Sequence, residues 1–263
     1  MIPSALAMNE FDNDGVALSY FDRPSVSEAG QRDIPVLLIH GFASNAHVNW
    51  VYPTWTTKLT RSGYRVVALD NRGHGSSQKI YEPAAYSPQL MAGDARALLD
   101  HLDIEQAHVM GYSMGARLSA FLALKHPERV RSVVFGGLGM GMVHGVGSEQ
   151  PIVDALLEDD PSIIRHEVGK RFRAFADATK SDRRALAACM ASSRQQLSVE
   201  EAGRISVPTL VAVGTKDDIS GSGAEFAALI PGAQHLELEG RDHQSSVGDK
   251  NYKNGVLAFY EGL

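Results

Sequence analysis

Five short apolar runs, each ending at a turn residue, constrain this chain more tightly than any of its other features. Val36-Leu37-Leu38-Ile39 follows Pro35 and stops at His40-Gly41, and Val66-Val67-Ala68-Leu69 stops at Asp70. Val109-Met110 runs into Gly111, Val133-Val134-Phe135 into Gly136-Gly137, and Leu210-Val211-Ala212-Val213 into Gly214. Runs that are β-branched and apolar at nearly every position fit strands covered on both faces of a parallel sheet. Helical patterns separate most of them. Ser87-Pro88 supplies a capping serine followed by proline at the first helical position. Leu90, Met91, Asp94, Ala97, Leu98, His101 and Leu102 then recur on one helical face. Repeated β–α–β units predict an α/β fold, a mostly parallel central sheet flanked by helices with right-handed crossovers. The earlier Val16-Ala17-Leu18-Ser19-Tyr20 reads as an antiparallel edge strand leading into it.

The alternation stops between Gly136 and Val207. A glycine-rich link, Gly136 to Gly147, precedes helical patterns such as Ile152-Val153 with Ala155-Leu156-Leu157, Phe172 with Phe175-Ala176, and Ala185-Leu186-Ala187-Ala188. The strand pattern resumes at Ile205-Ser206-Val207-Pro208. The expected organisation is a core of residues 1–138 and 206–263 with a helical cap of residues 139–205. Such an insertion sits on the strand ends, where open α/β sheets bind ligands. The link is a hinge, not a nucleotide loop. Met142 and His144 occupy positions where G-x-G-x-x-G requires glycine, and the Gly-Lys-Ser/Thr of a phosphate loop is missing. Met140 and Met142 either line an apolar pocket or fill the core.

Composition narrows the partners. The 263 residues carry 25 Lys and Arg against 31 Asp and Glu, a formal charge of −6 with no long basic run. That argues against a nucleic-acid or anionic-membrane footprint. The single cysteine, Cys189, rules out an internal disulfide and leaves too few thiols for a structural zinc site. The mildly apolar start, Met1 to Met8, has no Lys or Arg before Arg23, and no apolar stretch approaches the roughly 20 residues of a membrane span. The expectation is a cytoplasmic monomer or homodimer that acts on a small molecule.

Gly111-Tyr112-Ser113-Met114-Gly115 has the pattern G-x-S-x-G. About 0.2 matches would arise by chance in a chain this rich in glycine, so the pentapeptide alone says little. Its position says more, because it follows one of the strands and opens a helix running through Leu118, Phe121 and Leu122 to Pro127. A strand–turn–helix this sharp exposes the serine hydroxyl at a helix N-terminus, and flanking glycines permit the close approach. A nucleophilic serine needs a base. His243, in Gly240-Arg241-Asp242-His243, lies beyond a late alternating strand, Gln234 to Glu239, on which His235 reads as a surface residue. Imidazole can take and return the serine proton near neutral pH. The base needs an orienting carboxylate. Gly214-Thr215-Lys216-Asp217-Asp218 follows the strand that ends at Val213; Asp217 is the preferred acid, and Asp218 the alternative or a cap of the next turn. Asp94 reads as structural.

The order Ser113, Asp217, His243, taken with His40-Gly41-Phe42, Asp70-Asn71-Arg72-Gly73-His74-Gly75-Ser76 and His126-Pro127-Glu128-Arg129-Val130, resembles the α/β-hydrolase fold superfamily in its small, cap-bearing serine-esterase branch. The likeness spans nearly the whole chain outside the insertion. It implies an oxyanion hole made by the backbone N–H groups of Phe42 and Met114, and a structural role for Arg72 and His74. Asn45, His47 and Trp50 either face the pocket or pack away from it. Two positions depart from the family's habit. Asp218 stands where relatives often carry an apolar residue or proline, and Asp242 stands where glycine commonly precedes the histidine, either raising its pKa or pointing to solvent.

The resulting expectation is a serine hydrolase of carboxylic esters, with Ser113 as nucleophile, His243 as base then acid and Asp217 as its orienting group, needing no metal or organic cofactor. Phe42 and Met114 suggest an uncharged acyl group. Serine where epoxide hydrolases and haloalkane dehalogenases carry aspartate argues against those chemistries. Carbon–carbon bond hydrolases, lactonases, thioesterases and perhydrolases share the triad. A small-molecule receptor that keeps the triad and signals through a partner is the reading from another class.

Overall fold

The computed structural model describes residues 7–28 and 30–263. Of the mildly apolar start, Met1 to Met8, positions 1–6 lie outside the described residues. Eight strands form one sheet: β1 (Asn9–Asn13), β2 (Val16–Arg23), β3 (Val36–Ile39), β4 (Val66–Leu69), β5 (Ala107–Tyr112), β6 (Val130–Gly136), β7 (Thr209–Gly214) and β8 (Gln234–Leu238). Their spatial order is β1-β2-β4-β3-β5-β6-β7-β8. β1–β2 and β2–β4 pair antiparallel, and every other neighbouring pair is parallel. This is the expected α/β sheet with one correction. β2 is not the edge strand, because β1 covers it, with Phe11 opposite Leu18. β1 is polar apart from Phe11, so no apolar run announced it. Its signal was Asp14-Gly15, both at positive φ (53° and 82°), the backbone that a tight hairpin turn requires.

The flanking helices are α1 (Trp55–Arg61), α2 (Pro88–His101), α3 (Met114–Lys125), α9 (Gly223–Leu229) and α10 (Lys250–Glu261), with α4 (Gly141–His144), α5 (Gln150–Leu157), α6 (Glu167–Ala178), α7 (Arg183–Met190) and α8 (Val199–Gly203) between β6 and β7. Successive strand side chains go to opposite faces. Leu37, Ile39, Val67, Leu69 and Val109 therefore join the core under α2 and α3, while Val36, Leu38, Val66, Ala68 and Met110 join the one containing Trp50, Trp55 and Tyr252. Ser87 caps α2 by accepting the Leu90 N–H, as its sequence suggested, although Leu90 itself is 47% exposed at the margin of the buried face. Met142 is fully buried in the core and Met140 packs half-buried against it, so of the two readings of these methionines core filling holds. No helix among the described residues is long and apolar enough to cross a membrane.

Two features of the fold position the site. From β3 the chain crosses to β4 on one side, and β5 then lies on the other side of β3. The loops after β3 and β5 therefore diverge and leave a crevice at the carboxyl ends of these strands. α5 to α7 pack above that crevice: Ile152, Leu156, Ala176 and Leu186 belong to the same apolar core as the α2–α3 face of the sheet.

Candidate active site

Ser113 sits between β5 and α3 with φ 55° and ψ −113°, a conformation that costs a non-glycine residue on the order of 1–3 kcal/mol. The neighbours force it. A Cβ at Gly111 would collide with the Gly115 carbonyl, and one at Gly115 with the Ile39 carbonyl, so the turn closes only with glycine at both places. The Ser113 N–H donates to the Gly136 carbonyl at 2.8 Å, anchoring the turn to the end of β6.

The hydroxyl lies 3.1 Å from His243 Nε2, and His243 Nδ1 lies 2.8 Å from Asp217 Oδ2. An ionised carboxylate only accepts, so Nδ1 carries the proton and Nε2 presents its lone pair to the serine. The Asp217 side chain is fully buried. Burial pushes its pKa up, but the hydrogen bond and charge of His243, with donors from Ser220 and Ile219, outweigh that and hold it below the ordinary carboxylate value. Ser220 Oγ donates to Oδ2 at 2.6 Å, and the N–H groups of Ile219 and Ser220 donate to Oδ1 at 3.0 Å each. Asp217 thus caps the following turn. Asp218, offered as that cap, is exposed and lies 3.7 Å from Arg171. Asp242 is exposed, as one of the two readings had it, and folds onto its own turn, accepting from the N–H groups of Gln244 and Ser245 and from the Ser245 hydroxyl.

Phe42 and Met114 lie beside Ser113 along one cavity of about 440 Å³. Among the described residues neither backbone N–H donates to a protein acceptor. Phe172, Phe175 and Met190, from α6 and α7, continue the apolar lining. Three arginines also reach it, Arg117, Arg171 and Arg194, which the sequence reading of an uncharged acyl pocket did not anticipate. Asn45, His47 and Trp50 do not line the cavity. Asn45 caps the Val48 N–H, His47 meets Phe21 edge-on, and Trp50 is buried against Trp55. Asn49 lines it instead, and its Oδ1 accepts the Gly41 N–H at 3.0 Å, fixing the loop that carries Phe42.

Tyr112 and Ser220 also went unnoticed in the sequence. Tyr112 donates its O–H to the His243 carbonyl at 2.6 Å and so ties the histidine loop to the strand before the serine. Arg72 and His74 stand away from the reacting groups. Arg72 grips Asp94 with two bonds of 2.7 and 2.6 Å, and burial lowers the pKa of His40 to about 4 and of His74 to about 3, keeping both neutral.

The alpha/beta hydrolase fold family model matches residues 34–174. The 2-hydroxy-6-oxononadienedioate/2-hydroxy-6-oxononatrienedioate hydrolase of Escherichia coli (strain K12) is 36% identical over 116 residues, 44% of this chain and 40% of that protein. Epoxide hydrolase B of Mycobacterium tuberculosis is 37% identical over 110 residues, 40% of this chain and 30% of that protein. The matched stretch thus spans well under half the length of these curated relatives. The crystal structure of a hydrolase from Pseudomonas aeruginosa PA01 superposes with a TM-score of 0.78 at 26% identity, covering 98% of this chain and 99% of that one. With the family model matching more than half of its residues, this chain belongs to the alpha/beta hydrolase fold family.

Proposed function

We propose that this chain is a serine hydrolase that cleaves carboxylic esters through an acyl-enzyme. The reading rests above all on the unbroken contact line Ser113–His243–Asp217, at 3.1 and 2.8 Å. His243 Nε2 takes the Ser113 proton as Oγ attacks the ester carbonyl, and Asp217 stabilises the imidazolium that forms. The N–H groups of Phe42 and Met114 receive the charge that develops on the carbonyl oxygen, aided by the N-terminus of α3. The tetrahedral intermediate collapses as the alcohol leaves with the proton from Nε2. Water then enters, gives a proton to His243, attacks the acyl carbon and releases the acid with Ser113 restored. The helical segment between β6 and β7 acts as a cap and shapes the acyl pocket through Phe172, Phe175 and Met190. Serine at the elbow argues against an epoxide-opening route like that of the M. tuberculosis relative.

A second reading, hydrolysis of a carbon–carbon bond by the same triad, draws on the likeness to the E. coli oxononadienedioate hydrolase. Steady-state hydrolysis of p-nitrophenyl esters of increasing acyl length, with Ser113→Ala alongside, tests the first. Repeated turnover that falls by about 10⁶ in the variant supports it. A single burst without turnover would favour a receptor, and turnover surviving in Ser113→Ala would sink the serine mechanism.

A further inference from the structure

Three arginines are buried among the described residues: Arg72, Arg117 and Arg173. Arg72 holds Asp94 and Arg173 holds Asp177. Arg117, the most buried at 2% exposure, holds no acid: no carboxylate lies within 4.0 Å of it among the described residues. Its guanidinium donates to the carbonyls of Gly141 and Met142 at 3.2 Å and of Gln195 at 2.7 Å. Carbonyls satisfy N–H donors but do not neutralise the charge, and a buried charge without a counter-ion is costly. Arg194 lines the same cavity; among the described residues it donates only to the Gly147 carbonyl, at 3.3 Å, and no carboxylate lies within 4.0 Å of it. The two cations feel each other. Burial and then the charge of Arg194 bring the Arg117 pKa down to about 10, while Glu149 pulls the other way.

We propose that Arg117 and Arg194 form a carboxylate-binding corner of the cavity, and that the preferred substrate is an ester carrying a free carboxylate a short chain away from the scissile carbonyl. The inference rests on reading the cavity as a hydrolase's substrate site, and it replaces the uncharged acyl group suggested by Phe42 and Met114. Arg117 is four residues after Ser113 on α3, where Cβ atoms stand roughly 5–6 Å apart and side chains lean toward the helix N-terminus. The bound anion therefore sits on the serine side of the helix, within reach of a glutarate-sized chain. Two guanidiniums against Glu149 leave the corner with a net charge of one positive (+2 − 1), which suits a singly charged carboxylate better than a phosphate dianion. The planar guanidinium fork also matches carboxylate geometry.

Calorimetric titration of the Ser113→Ala protein with monomethyl glutarate and with dimethyl glutarate tests this without asking for turnover. The monoanion should bind at least tenfold tighter than the neutral diester. Arg194→Gln in the same background should bring the two within threefold, and Arg117→Lys should keep more of the preference than Arg117→Met. Because Arg117 also ties three carbonyls together, Arg194→Gln is the variant that decides if Arg117→Met fails to fold. Equal binding of the two esters, no binding of the monoanion at millimolar concentration, or a preference untouched by Arg194→Gln would overturn the proposal. A wild-type protein that turns over p-nitrophenyl esters without any preference for the anion would sink this inference alone. Preference for the monoanion without any ester turnover would sink the esterase reading and leave the corner standing.

Discussion

On the sheet side of the cavity, hydrogen bonds hold nearly every functional atom; on the helical side, side-chain packing does. Ser113 is fixed through its own N–H, Asp217 by a side-chain hydroxyl and two backbone donors, His243 by the Tyr112 hydroxyl, and Gly41 by Asn49. Across from them, Phe172 and Phe175 project from α6, whose interior anchor is Arg173 bonded to the Ala155 and Glu158 carbonyls. Directional bonds locate an atom to a fraction of an ångström, whereas apolar packing tolerates a change of shape if volume is roughly kept. The difference assigns rate to one wall and selectivity to the other.

The comparison predicts a graded series. Asp217→Asn should lower kcat by about 10⁴, the effect of losing the carboxylate that fixes the histidine tautomer. Asp218→Asn should stay near wild type in the same assay; the reverse result would move the acid by one residue. Next comes Asn49→Leu, which leaves the Gly41 N–H without its acceptor beside the cavity. An unmet buried donor costs about 1–3 kcal/mol, so kcat should fall roughly 10- to 100-fold if that strain reaches the loop carrying Phe42, with KM moving less. A variant that loses stability but not kcat would show that Asn49 serves only the fold.

Acid should undo the sheet side too. Unfolded histidine takes a proton below about pH 6.5, while burial holds off protonation of His40 until about pH 4 and of His74 until about pH 3. In that window the unfolded chain binds more protons, so stability falls as pH falls, by up to about 1.4 kcal/mol per pH unit for each histidine. Urea midpoints at pH 7 and pH 5 for wild type and His74→Asn check this: the variant should lose less between the two. Smallest in rate is Phe172→Ala on the helical wall. It should shift the preferred acyl length toward longer chains while changing kcat less than tenfold, read from the p-nitrophenyl ester series. A large drop in kcat at every chain length would erase the division between the walls.

The two walls also differed in how legible they were in the sequence. The buried strands spoke plainly, because β3 and β4 are apolar at every position and end where the chain must turn. Ser113 and Asp217 were readable as residue types just beyond such a strand and His243 beyond the alternating β8, and the structure brings those three within hydrogen-bond reach. Asn49 was missed for a physical reason. Residues His47–Val51 form a π-helical turn, closed by Tyr52 N–H to the His47 carbonyl, a local winding that no sequence pattern marks and that decides which side chain faces the cavity. Tyr112 acts through a partner 131 residues away, which no local pattern encodes, and Ser220 through Asp217, three residues before it in an irregular turn that no helix or strand periodicity marks. The charge lining the cavity was hidden too. Arg117 looks like any helical arginine until Gly141, Met142 and Gln195 close around it.

From β5 to β8 the order of the strands across the sheet is also an order in time. Ser113 leaves the ribosome 130 residues before His243, and β7 and β8, whose loops bring Asp217 and His243, are the last two strands made. At translation speeds of about 5–20 residues per second, the nascent chain carries Ser113 for on the order of ten seconds before the proposed base exists. On the proposed mechanism, such a chain gains its reactivity only when the β8 edge of its sheet and the loop beyond it have been made.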